Sequence, residues 1–208
     1  MKENLISLCV FLIFSSFWAS LGHADTTKAI CAKVTALKNP GPLKTKAGVK
    51  TRFLNIHNKI RALYGVSQLK WDENLARHAQ AWADELKTKH NCNLYHRQNL
   101  GRTEGKILGE NLALYATSQA KSTFVSSPEF ATIKWAGECK DYSYSSNQCA
   151  KNKVCGHFTQ VVWAKSTKLG CGVAVCGPSG RMARTEVWVC NYDPPGNMTI
   201  NGKKQKPF

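Results

Sequence analysis

Residues 155–163 read Cys-Gly-His-Phe-Thr-Gln-Val-Val-Trp, which places a histidine between a cysteine and an apolar run. The run Phe158–Trp163 is rich in β-branched and aromatic side chains, and this composition predicts a short strand. Similar runs follow at Cys171–Cys176 and Glu186–Tyr192, with a predicted turn at Gly177–Gly180 between them. We therefore expect the C-terminal part of the chain to be rich in strands.

The preceding part of the chain has the periodicity of helices. One apolar stripe steps by four, three, four and three residues, which places its members on one helix face: Val49, Phe53, Ile56, Ile60 and Leu63. Gly65 is predicted to end this helix. His57 lies beside the stripe, where we expect a packed, hydrogen-bonded imidazole rather than a ligand to an ion.

Two further helices have recognisable starts. Asp72 is a suitable N-cap for a second helix that runs toward Cys92. Ser127 followed by Pro128 is typical of the start of a third, which we expect to carry Glu138. Helices that precede strands predict an α+β domain, with helices layered on an antiparallel sheet.

The N-terminus has the three parts of a secretory signal peptide. Lys2 precedes an apolar run of 14 residues, Leu5–Trp18, and small residues follow. Cleavage after Gly22 or after Ala24 is acceptable, and we assign residues 1–24 to the signal. The alternative is a membrane anchor, but a spanning helix needs about 20 apolar residues. We expect an exported protein with no transmembrane segment.

Cysteine usage agrees with export. The chain has nine cysteines, and Cys9 would leave with the signal peptide. An even number in an exported domain predicts four disulfides, although sequence alone leaves the connectivity open. No Cys-x-x-Cys pair occurs, which argues against a zinc ribbon or a redox motif. The eight remaining cysteines are Cys31, Cys92, Cys139, Cys149, Cys155, Cys171, Cys176 and Cys190.

The chain is strongly basic, with 29 Lys and Arg against 13 Asp and Glu and a formal net charge of +16. Residues 25–48 hold five lysines and one acid, and we interpret them as a basic N-terminal arm before a domain at 49–208. This charge suits anionic cell surfaces or glycans. No recognition helix or aromatic-interleaved platform is present, so a specific nucleic-acid partner is not expected. The alternative is a solvated tail with no binding role.

The usual catalytic motifs are absent: a nucleophile elbow, a P-loop, an EF-hand and a metalloprotease His-Glu-x-x-His. Four polar residues stand in unusual apolar company: His96, Glu110, Glu138 and His157. Two imidazoles and two carboxylates suit a divalent-metal site, with the nitrogens as ligands and the carboxylates orienting them. Their spacing alone does not bring them together.

The motifs, taken in order, resemble those of the CAP superfamily, which comprises cysteine-rich secretory, antigen 5 and pathogenesis-related 1 proteins. The plant pathogenesis-related 1 branch is most similar. The resemblance covers about residues 50–208, and its main segments are Cys92–His96, Gly109–Leu112, Gly156–Trp163 and Cys190–Asn197.

The resemblance implies a three-layer α–β–α sandwich with a central cleft. It also implies that His96, Glu110, Glu138 and His157 form a cleft tetrad, in which His96 and His157 can hold zinc that the fold does not require. The family's cysteines imply the pairs Cys92–Cys176, Cys149–Cys155 and Cys171–Cys190. Two cysteines remain, Cys31 and Cys139, and we expect them to pair with each other.

The resemblance implies a secreted, defence-related protein that binds sterols or other lipids. Tyr142 and Tyr144 lie in the segment that carries sterol binding in yeast relatives; the alternative is that both tyrosines cap the core.

Metal-dependent hydrolysis is a second hypothesis, but Arg97 stands where relatives commonly have a serine, so we do not expect an enzyme. A third is a signalling peptide released from the tail after Asp193. The sequence does not settle the oligomeric state or glycosylation of Asn197.

Overall fold

The computed structural model describes residues 26–97, 107–119, 124–178 and 181–208. The predicted signal peptide, residues 1–24, and part of the predicted Gly177–Gly180 turn lie outside these residues. None of the helices in the described ranges is long and apolar enough to cross a membrane.

A four-stranded sheet forms the middle of the molecule. Its strands are β1 (Lys70–Trp71), β2 (Gly109–Thr117), β5 (Lys168–Cys176) and β6 (Arg184–Asp193), in the order β1-β5-β6-β2. The three long strands pair antiparallel, as predicted, with Cys171 opposite Cys190 and Leu112 opposite Val189. The short β1 pairs parallel to β5, so the sheet is mixed.

Helix α3 (Glu73–Lys89) covers one face of the sheet. Asp72 caps it as predicted, because its carboxylate accepts the backbone N–H groups of Asn74 and Leu75 at 2.9 and 3.1 Å. Trp82 and Leu86 of this helix share a buried cluster with Val187 and Val189 of β6.

Alternation along β6 separates the two faces of the sheet. Val187 and Val189 face α3, whereas Trp188 and Tyr192 belong to a larger cluster on the other side. Helices α2 (Val49–Leu63), α4 (Pro128–Ala136) and α5 (Gly156–Val161) contribute to that cluster. The predicted three-layer α–β–α sandwich and α+β class are confirmed.

The run Phe158–Trp163 was wrongly predicted as a strand, because most of it belongs to α5. The Glu138 carboxylate accepts the backbone N–H groups of His157 and Phe158 at 3.0 and 3.2 Å, at the positive end of the helix. The buried guanidinium of Arg61 donates to the carbonyls of Val161 and Trp163 at 3.0 and 2.9 Å, at the other end. Tertiary partners therefore override the β propensity of this segment.

The N-terminal arm also differs from the expectation. Residues 26–35 of the predicted basic arm are helical, and we label this helix α1. Cys31, Val34 and the later Leu43 are buried in the large cluster, so the arm is part of the packed domain.

Short elements complete the chain. Single-turn 3₁₀ helices cover Lys46–Gly48 and Gly137–Asp141. Two small hairpins pair β3 (Tyr142–Ser143) with β4 (Gln148–Cys149), and β7 (Thr199–Ile200) with β8 (Lys203–Lys204). Four disulfides link the elements, and all four have the expected partners. Three are the pairs implied by the family: Cys92–Cys176, Cys149–Cys155 and Cys171–Cys190. The fourth joins the two remaining cysteines, Cys31 and Cys139.

Candidate functional site

His96 and Glu110 form the first half of the site. His96 follows α3 and the Cys92 turn, while Glu110 lies on β2 opposite Asn191 of β6. The imidazole Nδ1 lies 2.9 Å from Glu110 Oε1, and the backbone N–H of Arg97 donates to the same oxygen at 3.3 Å. The Glu110 side chain is 1% exposed and that of His96 is 56% exposed. The hydrogen bond from Glu110 raises the pKa of His96 above its usual range.

His157 and Glu138 form the second half. Nδ1 of His157 lies 2.6 Å from Glu138 Oε1, while Glu138 Oε2 accepts the backbone N–H of His157. Glu138 follows α4, on the 3₁₀ helix, rather than lying on α4 as expected. Each carboxylate thus fixes the ring orientation of one imidazole, and each occupies the Nδ1 side of the ring.

Both halves meet at one cavity. His96, Glu110 and His157 line a space of about 350 Å³ between β2, α5 and the segment after β6. Glu138 is not among the lining residues and is connected to the cavity through its hydrogen bond with His157. Ile107 and Val154 also line it, with exposures of 59% and 62%. The cavity therefore has two imidazoles in its wall and an exposed apolar mouth.

A buried polar network supports the cavity wall. Asn111 Nδ2 donates to the His157 carbonyl at 3.1 Å and to the Tyr192 hydroxyl at 3.2 Å. Tyr192 in turn lies 2.8 Å from Nε2 of His57, whose Nδ1 lies 2.8 Å from the Phe53 carbonyl. The prediction that His57 is packed and hydrogen-bonded is confirmed.

Two supporting residues were missed by sequence reasoning. Gln160 lines the cavity and accepts the backbone N–H of Gly196 at 2.8 Å through Oε1. Asn197 accepts the Thr159 hydroxyl at 2.6 Å and donates to the Gly156 carbonyl at 3.0 Å. These bonds join the segments 156–163 and 190–197. The occurrence of both family motifs in one chain was the sequence signal that could have indicated this contact.

The metal-binding prediction has limited geometric support. Within the described ranges, no group of three or more histidine, cysteine, aspartate or glutamate side chains is placed to hold an ion. The donors at the cavity are the imidazoles of His96 and His157. Their chemistry fits a divalent ion, because histidine ligands in metal sites donate their other ring nitrogen to a carboxylate.

The two tyrosines of the predicted lipid-binding loop lie outside this cavity and are engaged elsewhere. Tyr142 packs edge-on against Phe158 at 5.6 Å between ring centroids, and its hydroxyl donates to Asn147 at 2.7 Å. Tyr144 stacks on Phe208 at 4.9 Å and donates to its carbonyl at 2.7 Å. These contacts match the alternative that both tyrosines cap the core.

The C-terminal tail, whose release was the third hypothesis, contacts the rest of the domain through its last two residues. The Pro207 carbonyl accepts the backbone N–H of Ala164 at 2.6 Å, and Phe208 packs against Tyr64 at 5.1 Å. Breaking the chain after Asp193 would leave these interactions intact.

Comparison with known proteins finds a matching family model and similar sequences in plants. The family model described as the cysteine-rich secretory protein family (CAP) matches residues 54–192. Pathogenesis-related protein 1 of Arabidopsis thaliana is 38% identical over 167 residues, covering 80% of this chain and 86% of its own. Pathogenesis-related protein 1A of Nicotiana tabacum is 39% identical over 145 residues, 70% of this chain and 74% of its own.

Solved structures share the fold. Venom allergen-like protein 4 of Schistosoma mansoni has a TM-score of 0.53 at 25% identity, covering 78% of this chain and 96% of that one. NaASP2, crystallised with Zn²⁺, has a TM-score of 0.53 at 23% identity, covering 78% of this chain and 88% of that one. The motifs, the disulfides and the sandwich agree with these comparisons, and the chain belongs to the cysteine-rich secretory protein (CAP) family, with relatives among the plant pathogenesis-related 1 proteins.

Proposed function

We propose that this chain is a secreted, defence-related binding protein whose central cleft holds a divalent metal ion and a sterol or other lipid. The observation that carries the proposal is the pair of imidazoles, His96 and His157, in the wall of one cavity. Nδ1 of each imidazole hydrogen-bonds a carboxylate, at 2.9 Å for His96 and 2.6 Å for His157. Nε2 of each ring is therefore the nitrogen that can coordinate a metal ion. A bound ion would supply a positive centre that holds an anionic or polar ligand group.

Export of the protein is supported by its family and its disulfides. The chain belongs to a cysteine-rich secretory family and contains four disulfides, which persist in oxidising compartments. A relative with the same fold was crystallised with Zn²⁺, which supports zinc as the first ion to test here.

The cavity wall favours a binding role over hydrolysis by a side-chain nucleophile. Of the described residues that line the cavity, none carries a hydroxyl or a thiol that could act as a nucleophile. Arg97 follows His96, and its guanidinium lies 5.1 Å over the Trp82 ring, where it packs rather than reacts. Metal-dependent hydrolysis would use a metal-bound water instead of such a side chain, so the absence of a nucleophile does not distinguish it from binding.

The lipid part of the proposal depends on the mouth of the cavity. Ile107 and Val154 are 59% and 62% exposed, and exposed apolar side chains at the rim of a concave site favour an apolar ligand. The polar wall beyond them suits the hydroxyl or carboxylate end of an amphiphile. The cleft therefore replaces Tyr142 and Tyr144 as the preferred lipid position.

Calorimetric titration of zinc into the purified protein tests the metal. We expect one site per chain, and we expect the double substitution His96→Ala/His157→Ala to abolish it. The matched control is His78→Ala on α3, a half-buried histidine outside the cavity, which should bind zinc as the unmodified protein does. Equal zinc binding by the double variant would overturn the assignment of the two histidines as ligands.

Binding of a fluorescent sterol tests the lipid separately. We expect Ile107→Ser/Val154→Ser to weaken binding about tenfold, because two exposed apolar contacts are lost. Tyr142→Ala/Tyr144→Ala should leave the affinity within about twofold of the unmodified value, because the tyrosines do not line the cavity. The opposite ranking would move the lipid site to the tyrosine loop, and no binding at all would remove lipids from the proposal.

A further inference from the structure

A second cavity lies away from the central cleft and shares no lining residue with it. It has a volume of about 290 Å³ and opens between the start of α2 and the first turns of α3, beside β1. Neither the family motifs nor the proposed function uses it, so its side chains require a separate account.

The charged side chains of this cavity are mostly cationic. Lys46 comes from the 3₁₀ helix, Lys50 from the first turn of α2 and Arg77 from α3. The acid that lines the cavity is Glu73, and its Oε1 lies 2.6 Å from Lys50 Nζ. Within the described part of the chain, Lys46 and Arg77 have no carboxylate at ion-pair distance, although Arg77 hydrogen-bonds Asn74 and interacts electrostatically with Glu73 at longer range.

The rest of the lining is apolar except for Gln80. Trp71, Ala76 and Cys171 lie among the cations, and Cys171 is fixed by its disulfide to Cys190. Gln80 also lines the cavity, with its amide tied to both backbone groups of Val173 at 3.0 and 3.1 Å. The charged groups are thus exposed around an open, partly apolar cavity.

We propose that this cavity binds the sulfate or phosphate group of an anionic ligand, with the apolar wall taking the body to which the group is attached. Three cations from three elements surround one space, which suits an oxyanion with three or four oxygens. The two cations without a carboxylate at ion-pair distance leave an excess of positive charge that an anion would neutralise. Lys46 and Lys50 belong to the lysine-rich segment before and at the start of α2, so part of the excess positive charge of the chain lies at this cavity.

Aryl esters provide the direct test. We expect 4-nitrophenyl sulfate and 4-nitrophenyl phosphate to bind in a calorimetric titration, and neutral 4-nitrophenyl glucoside not to bind. Lys46→Gln/Arg77→Gln should weaken the ester affinity about tenfold, since two charge-assisted contacts are lost. The control Lys87→Gln/Lys203→Gln removes the same charge at exposed positions outside the cavity, and should change the affinity less than about twofold.

Glu73→Gln gives a prediction of opposite sign. It removes the competing carboxylate and frees the Lys50 ammonium, so ester affinity should rise about threefold. Equal affinity of the unmodified protein and Lys46→Gln/Arg77→Gln would overturn the proposal. So would equal weakening by the control pair, which would mean that only the overall charge matters.

Two sources of the anionic group can be distinguished with vesicles. Vesicles of phosphatidylcholine with one part in five phosphatidic acid present the phosphate on a lipid headgroup. Cosedimentation that is lost in Lys46→Gln/Arg77→Gln but kept in the control pair would assign the site to headgroups. Ester binding without cosedimentation would assign it to soluble ligands.

Discussion

His57 shows how much the environment of one residue can change its chemistry. Burial lowers its pKa to about 3, and its two ring nitrogens are occupied by Phe53 and Tyr192. The unfolded chain protonates this imidazole below about pH 6.5, whereas the folded protein does not until about pH 3. The unfolded state therefore binds more protons in this window, and stability must fall as pH falls through it.

We predict that His57 contributes a slope of about 1.4 kcal/mol per pH unit to the unfolding free energy between pH 4 and 6. His57→Gln should lower stability at pH 7 by about 1–3 kcal/mol, because buried partners lose a hydrogen bond. The gap between the variant and the unmodified protein should then close as the pH falls. Urea unfolding at four pH values measures this, with His78→Gln as the control; curves of His57→Gln that run parallel to the unmodified protein would contradict it.

The site residues were within reach of the sequence only through the family motifs. Nothing local joins His57 to Tyr192, which are 135 residues apart, or His96 to Glu110, which are 14 apart across a strand boundary. The resemblance supplied the four cleft residues, whereas the supporting roles of Asn111, Gln160, Tyr192 and Asn197 were missed. These four act through hydrogen bonds to segments that only the fold brings close.

At the scale of elements, signals carried by neighbouring residues were reliable. Three helices were predicted correctly: α2 from its apolar stripe, and α3 and α4 from their N-caps Asp72 and Ser127. These signals depend on residues only a few positions apart. The segment of helix α5 was wrongly predicted as a strand because the contacts that hold it as a helix are distant in sequence. Glu138 bonds His157 from 19 residues away, and Arg61 bonds Val161 from 100 residues away. Such distant partners leave no periodicity in the sequence.

The contact between α3 and β5 depends on glycines in the strand. A Cβ at Gly170 would lie inside the contact distance of the Ala76 backbone nitrogen, so the absence of a side chain lets the helix backbone sit directly on the sheet. We predict that Gly170→Ala lowers the unfolding free energy by about 3 kcal/mol or prevents folding, because a helix backbone must move. Thermal unfolding measures the loss. Gly177→Ala is the matched control, since a Cβ there meets no atom within 4 Å; equal stability of the two variants would contradict the argument.

At the scale of the whole molecule, the disulfides divide into two that close long loops, Cys31–Cys139 and Cys92–Cys176, and two that close short loops, Cys149–Cys155 and Cys171–Cys190. Cys31–Cys139 joins α1 to the 3₁₀ helix that carries Glu138, across a separation of 108 residues. Cys149–Cys155 closes a separation of only 6. The Cys31–Cys139 bridge therefore holds the N-terminal segment, including buried Val34 and Leu43, against the layer that positions the second half of the site.

Chain entropy predicts that these two links differ in their effect on stability. A cross-link that closes a long loop removes more freedom from the unfolded chain than one that closes a short loop. We expect Cys31→Ser/Cys139→Ser to lower the unfolding free energy by about 2–4 kcal/mol, and Cys149→Ser/Cys155→Ser by roughly half as much. The other three bridges already restrict the unfolded chain, so the loss stays below the value for a single isolated loop. Urea unfolding of both variants under non-reducing conditions gives the comparison. An equal or larger loss from the short loop would mean that native contacts near α5, rather than chain entropy, set the contribution of each bridge.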